Sequence, residues 1–333
     1  MTARPVSRCY GSACLLAITL STAACLAAQS ASPAATTVAV TATPVALNPA
    51  NPSQQSVGRF AYAGGVELAA APALRFGGLS DLDITGDGRI FSVNDEGRLI
   101  EARLVLDKQG RLTSVADVRM SQLVGLDGQS LVEKVVADAE GLALLPSGDR
   151  LVSFERQHRI WRYPANGGLP VPAPAPDAAS EFPLNAGLEA IAALPAAAPG
   201  SYLAGSEGGV VWLCTFVGAC QETRLGSRVP QEYGLTAIAA SPDGQTIALL
   251  NRAFDEQRGV RVTVRLVGRD AIESASAPLL DELALTDPLT RDNFEGVALV
   301  NGSQPGVLRL YLLSDNNFSA SQHTYLLAFD WKR

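Results

Sequence analysis

The chain has 333 residues, with 26 lysines and arginines against 33 aspartates and glutamates, a negative balance that argues against a nucleic-acid surface, which needs a basic patch. Residues 1–58 contain no acidic residue and only Arg4 and Arg8 as basic ones, so the rest of the chain carries 24 basic and 33 acidic side chains. Such a body suits a protein that holds cations.

The N-terminal segment reads as an export leader. Arg4 and Arg8 precede the apolar run Cys14–Leu20, which is too short for the ~20 residues of a membrane span and has the layout of a secretory signal. Residues 1–25 are read as that signal. Thr22-Ala23-Ala24-Cys25 resembles a bacterial lipobox with Thr22 where Leu is usual, so lipidation of Cys25, with membrane attachment through it, and ordinary cleavage a few residues later both stay open. The expected location is the periplasm or cell envelope, or the medium. From residue 26 to 58 the composition is Ala, Thr, Ser, Pro and Gln without apolar periodicity, which predicts a flexible tether.

The body, residues 59–333, opens with the strand-like run Phe60–Leu68 and then repeats a phrase: an acidic or polar residue, a small residue, and an alternating apolar strand. It appears as Asp81-Leu82-Asp83-Ile84, Glu140-Gly141-Leu142-Ala143-Leu144, Glu189-Ala190-Ile191-Ala192-Ala193, Thr236-Ala237-Ile238-Ala239-Ala240 and Glu295-Gly296-Val297-Ala298-Leu299. The spacings of 59, 49, 47 and 59 residues are close to the ~40–50 residue period of propeller blades. Each unit continues with a turn such as Pro146-Ser147-Gly148-Asp149 or Pro242-Asp243-Gly244 and a second strand, the pattern of a hairpin. Asp87 and Asp243 belong to these turns and are read as turn formers. No segment carries a sustained helical stripe. The expected fold is therefore an all-β propeller with five units counted, a sixth blade being open in the longer first or last interval. The Pro- and Ala-rich stretches at 170–180 and 195–199 read as surface connections. Closure requires the ends to meet, so Phe60–Leu68 should complete the blade that contains Tyr325–Trp331. Cys214 and Cys220, the two cysteines of the body, would close a short hairpin in an oxidising compartment or else fill apolar sites.

Within each unit a second polar cluster closes the second strand: Asp95, Glu155, Glu207, Arg252 and Asp315. Antiparallel pairing brings the start of the first strand and the end of the second to one edge. One mouth of the channel should therefore hold Asp81, Asp95, Glu140, Glu155, Glu189, Glu207, Glu295 and Asp315 as candidate metal ligands, with Arg156 and Arg252 as cations. Carboxylates crowded together raise one another's pKa unless a cation compensates. Calcium takes 6–8 oxygen ligands at flexible geometry, whereas zinc and copper would lack imidazoles, since His158 and His323 are the two histidines of the chain. The competing reading is that single acids cap turns or pair with arginines of a neighbouring blade. There is no G-x-S-x-G elbow, no Walker loop, no dinucleotide fingerprint, and neither histidine stands in a triad context.

The phrases GLSDLDI with SVNDEGRL, DAEGLALLPSGDRLVSFERQHRIWRY, GLEAIAAL, LTAIAASPDGQTIALLNRAF, and DNFEGVAL with LYLLSDNNFSASQHTYLLAFDW resemble, in that order, the phytase-like family described as having esterase-like activity of phytase. The resemblance covers about residues 60–333. It implies an exported β-propeller and a phosphoesterase or esterase, while the tryptophan-ending acidic segment and the Asn-Asn-Asp-Arg segment of the alkaline β-propeller phytases are not matched here. If the mouth is catalytic, the expected chemistry is calcium-assisted hydrolysis of a small anionic ester, with Glu140 and Glu295 central, a carboxylate as base, and Arg156 or Arg252 binding the anionic group. Two other readings share the mouth: a non-catalytic ligand- or partner-binding propeller of the cell envelope, and a calcium-dependent lactonase-like hydrolase. A monomer is expected.

Overall fold

The computed structural model describes residues 1–2, 34–194 and 200–333. The leader, with Arg4, Arg8 and Cys25, and the connection 195–199 lie outside the described residues.

Alternating apolar residues separated by glycine turns give five antiparallel sheets. Blade 1 holds Leu79–Ile84, Arg89–Asn94, Arg98–Leu106 and Leu112–Gln122, counted outwards from the axis. Blade 2 holds Ala139–Leu144, Arg150–Phe154, Arg159–Tyr163 and Val171–Ala173, and blade 3 Leu188–Ala193, Ser201–Ser206, Val211–Thr215 and Gln221–Glu222. Blade 4 holds Gly234–Ala240, Thr246–Asp255, Gly259–Gly268 and Leu279–Leu285. Blade 5 takes Asn293–Asn301, Val307–Asp315 and Tyr325–Lys332 from the C-terminal end and Phe60–Ala70 from the N-terminal side, paired as Tyr325↔Glu67 through Trp331↔Phe60. The five innermost strands touch in a closed cycle. The fold is a five-bladed β-propeller closed by strands from both ends of the body.

Among the described residues there is no sixth blade of the kind left open by the spacings. The first interval is long because blade 1 has outer strands of 9 and 11 residues, and the last because blade 4 has two strands of 10. The stretch at 170–180 is likewise not simply a connection: Val171–Ala173 is the fourth strand of blade 2. Apolar side chains between each pair of neighbouring blades form five separate cores.

The tether boundary also moves. The segment 34–58 is built into the propeller: Thr36–Thr37 pairs with the outer edge of blade 1, Val40–Pro44 and Ser56–Val57 pair with Phe60–Ala70, and Val38 and Leu47 are buried. Leu47 carbonyl oxygen accepts the Thr290 N–H at 2.8 Å, which ties this strap to the connection between blades 4 and 5. Unpaired edge strands expose N–H and C=O rows, and a low-complexity segment can satisfy them with backbone bonds although it has few side chains to bury. The loop in blade 3 is closed by a Cys214–Cys220 disulfide. Among the described residues, no helix is long and apolar enough to cross a membrane.

Candidate metal centre at the channel mouth

The repeated phrase has a backbone cause. In blades 2 to 5 the pairing of the innermost strand skips one residue, and the skipped residues are Glu140, Glu189, Thr236 and Glu295. In blade 1, Asp81 and Leu82 together face Ser92 between the pairs Ser80↔Val93 and Asp83↔Phe91. Each repeat thus carries a β-bulge at the same height, and a bulge re-aims a side chain that would otherwise stay in the pleat. The small residue that follows is a close approach: a Cβ on Gly296 would lie 2.8 Å from Leu82 Cβ and from the Asp81 carbonyl carbon, and one on Gly141 would lie 2.9 Å from Ile191 Cγ2.

A second ring lies beside the first. The N–H groups of Asp95, Glu155 and Glu207 donate to the carbonyls of Gly78, Asp138 and Gly187 at 3.1, 2.8 and 3.2 Å, while Arg252 and Asp315 pair with Gly234 and Asn293. Blade 4 departs from the pattern in both rings, with Thr236 and Arg252 where the others have acids. Thr236 is buried, and its hydroxyl donates to the Phe294 carbonyl at 3.1 Å.

The structure brings seven of the eight predicted acids together. Glu140 is surrounded by Glu189, Asp138 and Glu295; Glu189 by Glu155, Glu295 and Glu207; and Glu295 by Asp315 and Asp95. Burial, reinforced by these like charges, holds the Glu140 and Glu189 carboxyls well above the usual range. Burial pushes Glu295 up to about 8, against the pull of Arg252 and the Asn293 amide, and Asp315 up to about 6. Asp95 and Glu155 are raised as well, chiefly by burial.

Asp81 is the exception and corrects the expectation of a ligand there. Its side chain turns into the wall, where one carboxylate oxygen accepts the Leu82 N–H at 2.7 Å and the other the Leu142 N–H at 2.9 Å. It stitches blade 1 to blade 2.

Residue-type reasoning missed Asp138, Lys134 and Asn293. Asp138 is 1% exposed and stands two residues before Glu140. It receives Lys134 Nζ and, at 2.5 Å, Arg156 Nε, so Arg156 is committed to a carboxylate rather than free for an anion. Lys134 also donates to Asp95 Oδ2 at 3.0 Å. Arg252 stands 3.6 Å from Glu295, and Asn293 Nδ2 donates to the same Glu295 oxygen at 2.7 Å. Ser80 hydroxyl donates to Glu140 at 3.0 Å. The sequence signal was present in DAEG and DNFEG, where a polar residue stands two places before the bulge glutamate.

Asp138, Glu140 and Glu155 offer oxygens that all lie within 4.8 Å of one another, a spread that one calcium ion with ~2.3–2.6 Å bonds can span. Asp95 Oδ1 is buried without a hydrogen-bond partner, and buried polar atoms are otherwise paired almost throughout folded proteins. An all-oxygen donor set with an orphan carboxylate oxygen fits a hard cation and not a soft one. Beside the ring, Arg252, Phe254, Arg291, Asp292, Asn293 and Glu295 line an open cleft of about 760 Å³.

The fold and this mouth define a five-bladed propeller with an acidic, carboxylate-lined entrance. The chain belongs to the phytase-like family, described as esterase-like activity of phytase, whose sequence pattern matches residues 74–318. Curated proteins gave no match. Among solved structures, the chain is similar to a protein of proposed gluconolactonase activity (13% identity, 91% of this chain and 94% of that one, TM-score 0.42). It is also similar to a streptogramin B lyase (10%, 89% and 88%, 0.39) and to the β-propeller domain of Myceliophteria thermophila Cps50 (Swd1) (11%, 89% and 100%, 0.38).

Proposed function

We propose that the protein is a calcium-dependent hydrolase of small anionic esters acting at the acidic mouth. The observation that carries this reading is the charge imbalance there: Asp95, Asp138, Glu140, Glu155, Glu189, Glu207, Glu295 and Asp315 face Lys134, Arg156 and Arg252 as their cationic partners. Buried carboxylates in such excess either keep protons or hold a cation. Asp138, Glu140 and Glu155 would hold the ion, with Asp95, Glu189 and Glu295 completing the negative field. A bound calcium would polarise the ester oxygen and ease deprotonation of a water. The chain's own residues supply the rest. Arg252, which lines the cleft 3.6 Å from Glu295, would bind the anionic part of the substrate, and Asn293 would keep Glu295 oriented. The Cys214–Cys220 disulfide supports an oxidising compartment and hence export.

Calcium should raise the melting temperature in step with the logarithm of its concentration. Assays of phosphate esters, carboxylic esters and lactones with calcium and with chelator should show calcium-dependent turnover. Glu140→Gln should lose both responses together, by on the order of 100-fold in turnover, since removing one ligand charge weakens the ion. Identical melting curves with calcium and chelator would mean that Lys134, Arg156 and Arg252 balance the ring alone. Calcium binding without cleavage of any ester would leave a ligand-binding propeller.

A further inference from the structure

We propose that the cleft between blades 4 and 5 is the specificity subsite of the mouth and takes an aromatic ring that carries a carboxylate or phosphate group. Its role as a substrate subsite rests on the hydrolase reading above; the binding itself does not. The cleft opens at the sector where the acidic rings are interrupted, since blade 4 has Thr236 and Arg252 in place of acids and Arg252 lines the cleft. Glu295 belongs to both regions, lining the cleft and standing among the charges around Glu140 and Glu189. The cleft therefore adjoins the ring.

Two guanidiniums line the cleft with bonding capacity to spare. Among the described residues Arg252 makes no side-chain hydrogen bond within the chain, and it stands 3.6 Å from a Glu295 oxygen. Arg291 is held from one side: its Nε donates to the Val260 carbonyl and its Nη1 to Asp287, both at 3.0 Å, while its Nη2 has no hydrogen-bond partner among the described residues. The carboxylates of the cleft are occupied instead. Asp292 is buried, with one oxygen accepting the Asn293 N–H at 2.8 Å and the other accepting the His323 N–H at 3.0 Å and lying 3.1 Å from its ring Nδ1. Glu295 accepts the Asn293 amide at 2.7 Å. A guanidinium with free N–H groups matches an oxyanion through paired, charge-assisted bonds.

The aromatic half of the ligand follows from blade 4. Arg252 and Phe254 are two residues apart on the strand Thr246–Asp255 and so project to one side of the sheet. Both line the cleft, as does Val260, the partner of Phe254 across the hairpin. Phe254 is 66% exposed. Phe318, the other exposed phenylalanine among the described residues, lies under the Arg75 guanidinium at 4.5 Å; Phe254 has no such cover. Its face leaves water only when a ligand covers it, and an aromatic ring does so with the largest gain. Two residues of strand separate the side chains by about 6.6 Å, the span of an anionic group and the ring attached to it. An oxyanion at Arg252 thus has its ring over Phe254 and Val260. Across the cleft, Asn317, Ser321 and Gln322 offer polar groups without adding negative charge.

Calorimetric titration of the calcium-free protein with phenylphosphonate, benzoate, methylphosphonate and acetate tests the assignment without turnover. Each aromatic anion should bind roughly tenfold tighter than its methyl counterpart, and the stronger of the two aromatic anions tells whether the cleft prefers a phosphate or a carboxylate. Phe254→Ala should abolish the aromatic preference and leave methylphosphonate binding as it was, while Phe254→Tyr should keep the preference. Arg252→Gln and Arg291→Gln should each weaken both phosphonates by roughly tenfold; should Arg252→Gln fold poorly, Arg291→Gln and Phe254→Ala still decide. Equal affinity for aromatic and methyl anions in the parent, no binding of any of the four, or a preference that survives in Phe254→Ala overturns the proposal. So does binding that neither arginine variant weakens, which would put the anion elsewhere. Any of these results leaves the hydrolase reading standing, whereas a parent inactive on every ester and lactone removes that reading and leaves the cleft as a binding site for aromatic anions.

Discussion

The two halves of the channel are made by the same five strands and have opposite chemistry. At the mouth, the bulge residues and their second-ring partners crowd carboxylates together. Two residues further along the same strands, Leu82, Leu142, Ile191, Ile238 and Val297 form one apolar ring, and Ile84, Leu144, Ala193, Ala240 and Leu299 form another around a cavity of about 200 Å³. The upper half gives up stability, because its charges are buried close to one another. The lower half restores it by apolar burial. Water and ions entering the mouth meet these two rings of apolar side chains, with the Asp83 carboxylate held in the wall by the Leu144 N–H.

The contrast is sharpest in what substitutions should do. Leu142 is 1% exposed and packs between blades 1 and 2, so Leu142→Ala should cost about 2–5 kcal/mol in urea unfolding. The calcium-induced rise in melting temperature should persist, since no ligand is touched. A variant that also loses the calcium response would show that the apolar rings and the mouth are not separable.

At the mouth the sign reverses with pH. Glu295, pushed up to about 8, and Glu140 and Glu189, held well above the usual glutamate range by burial, bind more protons in the folded state than in the unfolded state at intermediate pH. Their contribution is fully present below the ordinary glutamate value and is lost as pH rises through the folded one. The calcium-free protein should therefore lose a few kcal/mol between about pH 4.5 and pH 8, at up to about 1.4 kcal/mol per pH unit for each group. Calcium should restore this loss, and Glu295→Gln should flatten the slope. Equal urea midpoints at pH 5 and pH 8 without calcium would mean that the ring is already neutralised.

Much of this was legible in the chain. Five in-phase phrases marked the five blades, although the long first and last intervals left a sixth open, and the lone strand at Phe60–Leu68 gave the closure, because repetition marks hairpins and closure leaves one strand over. The phase of the acids gave the mouth for seven of eight positions. Asp81 escaped because its place in the wall depends on a two-residue bulge with φ of 53°, a backbone conformation that residue type does not announce, and on N–H groups 61 residues away. The strap at 34–58 escaped because strands of 2 and 5 residues are too short to show a period, and their partners lie on distant edges. Asp292 and His323 are joined by a turn between strands that brings separate phrases together, which spacing along one phrase cannot reveal.

The smallest effect expected is the most discriminating, because it separates the ring from charge in general. Asp87 lies in the first hairpin turn of blade 1, at the far end of the channel, fully exposed, and its carboxyl is held below the usual range first by the Thr85 hydroxyl. A depressed carboxyl contributes stability above its unfolded pKa and loses it as pH falls through the folded one. Its window therefore lies at acid pH, below the range in which the mouth glutamates act, and its slope has the opposite sign. Salt at physiological strength screens charges beyond about 8 Å, so removing Asp87 should not alter the field at the mouth. Asp87→Asn should leave the calcium-induced melting shift, the slope between pH 5 and pH 8 and any ester turnover unchanged. If calorimetry shows that Asp87→Asn weakens calcium binding as Glu140→Gln does, the ion is responding to the net charge of the propeller, and the bulge carboxylates lose their claim to hold it.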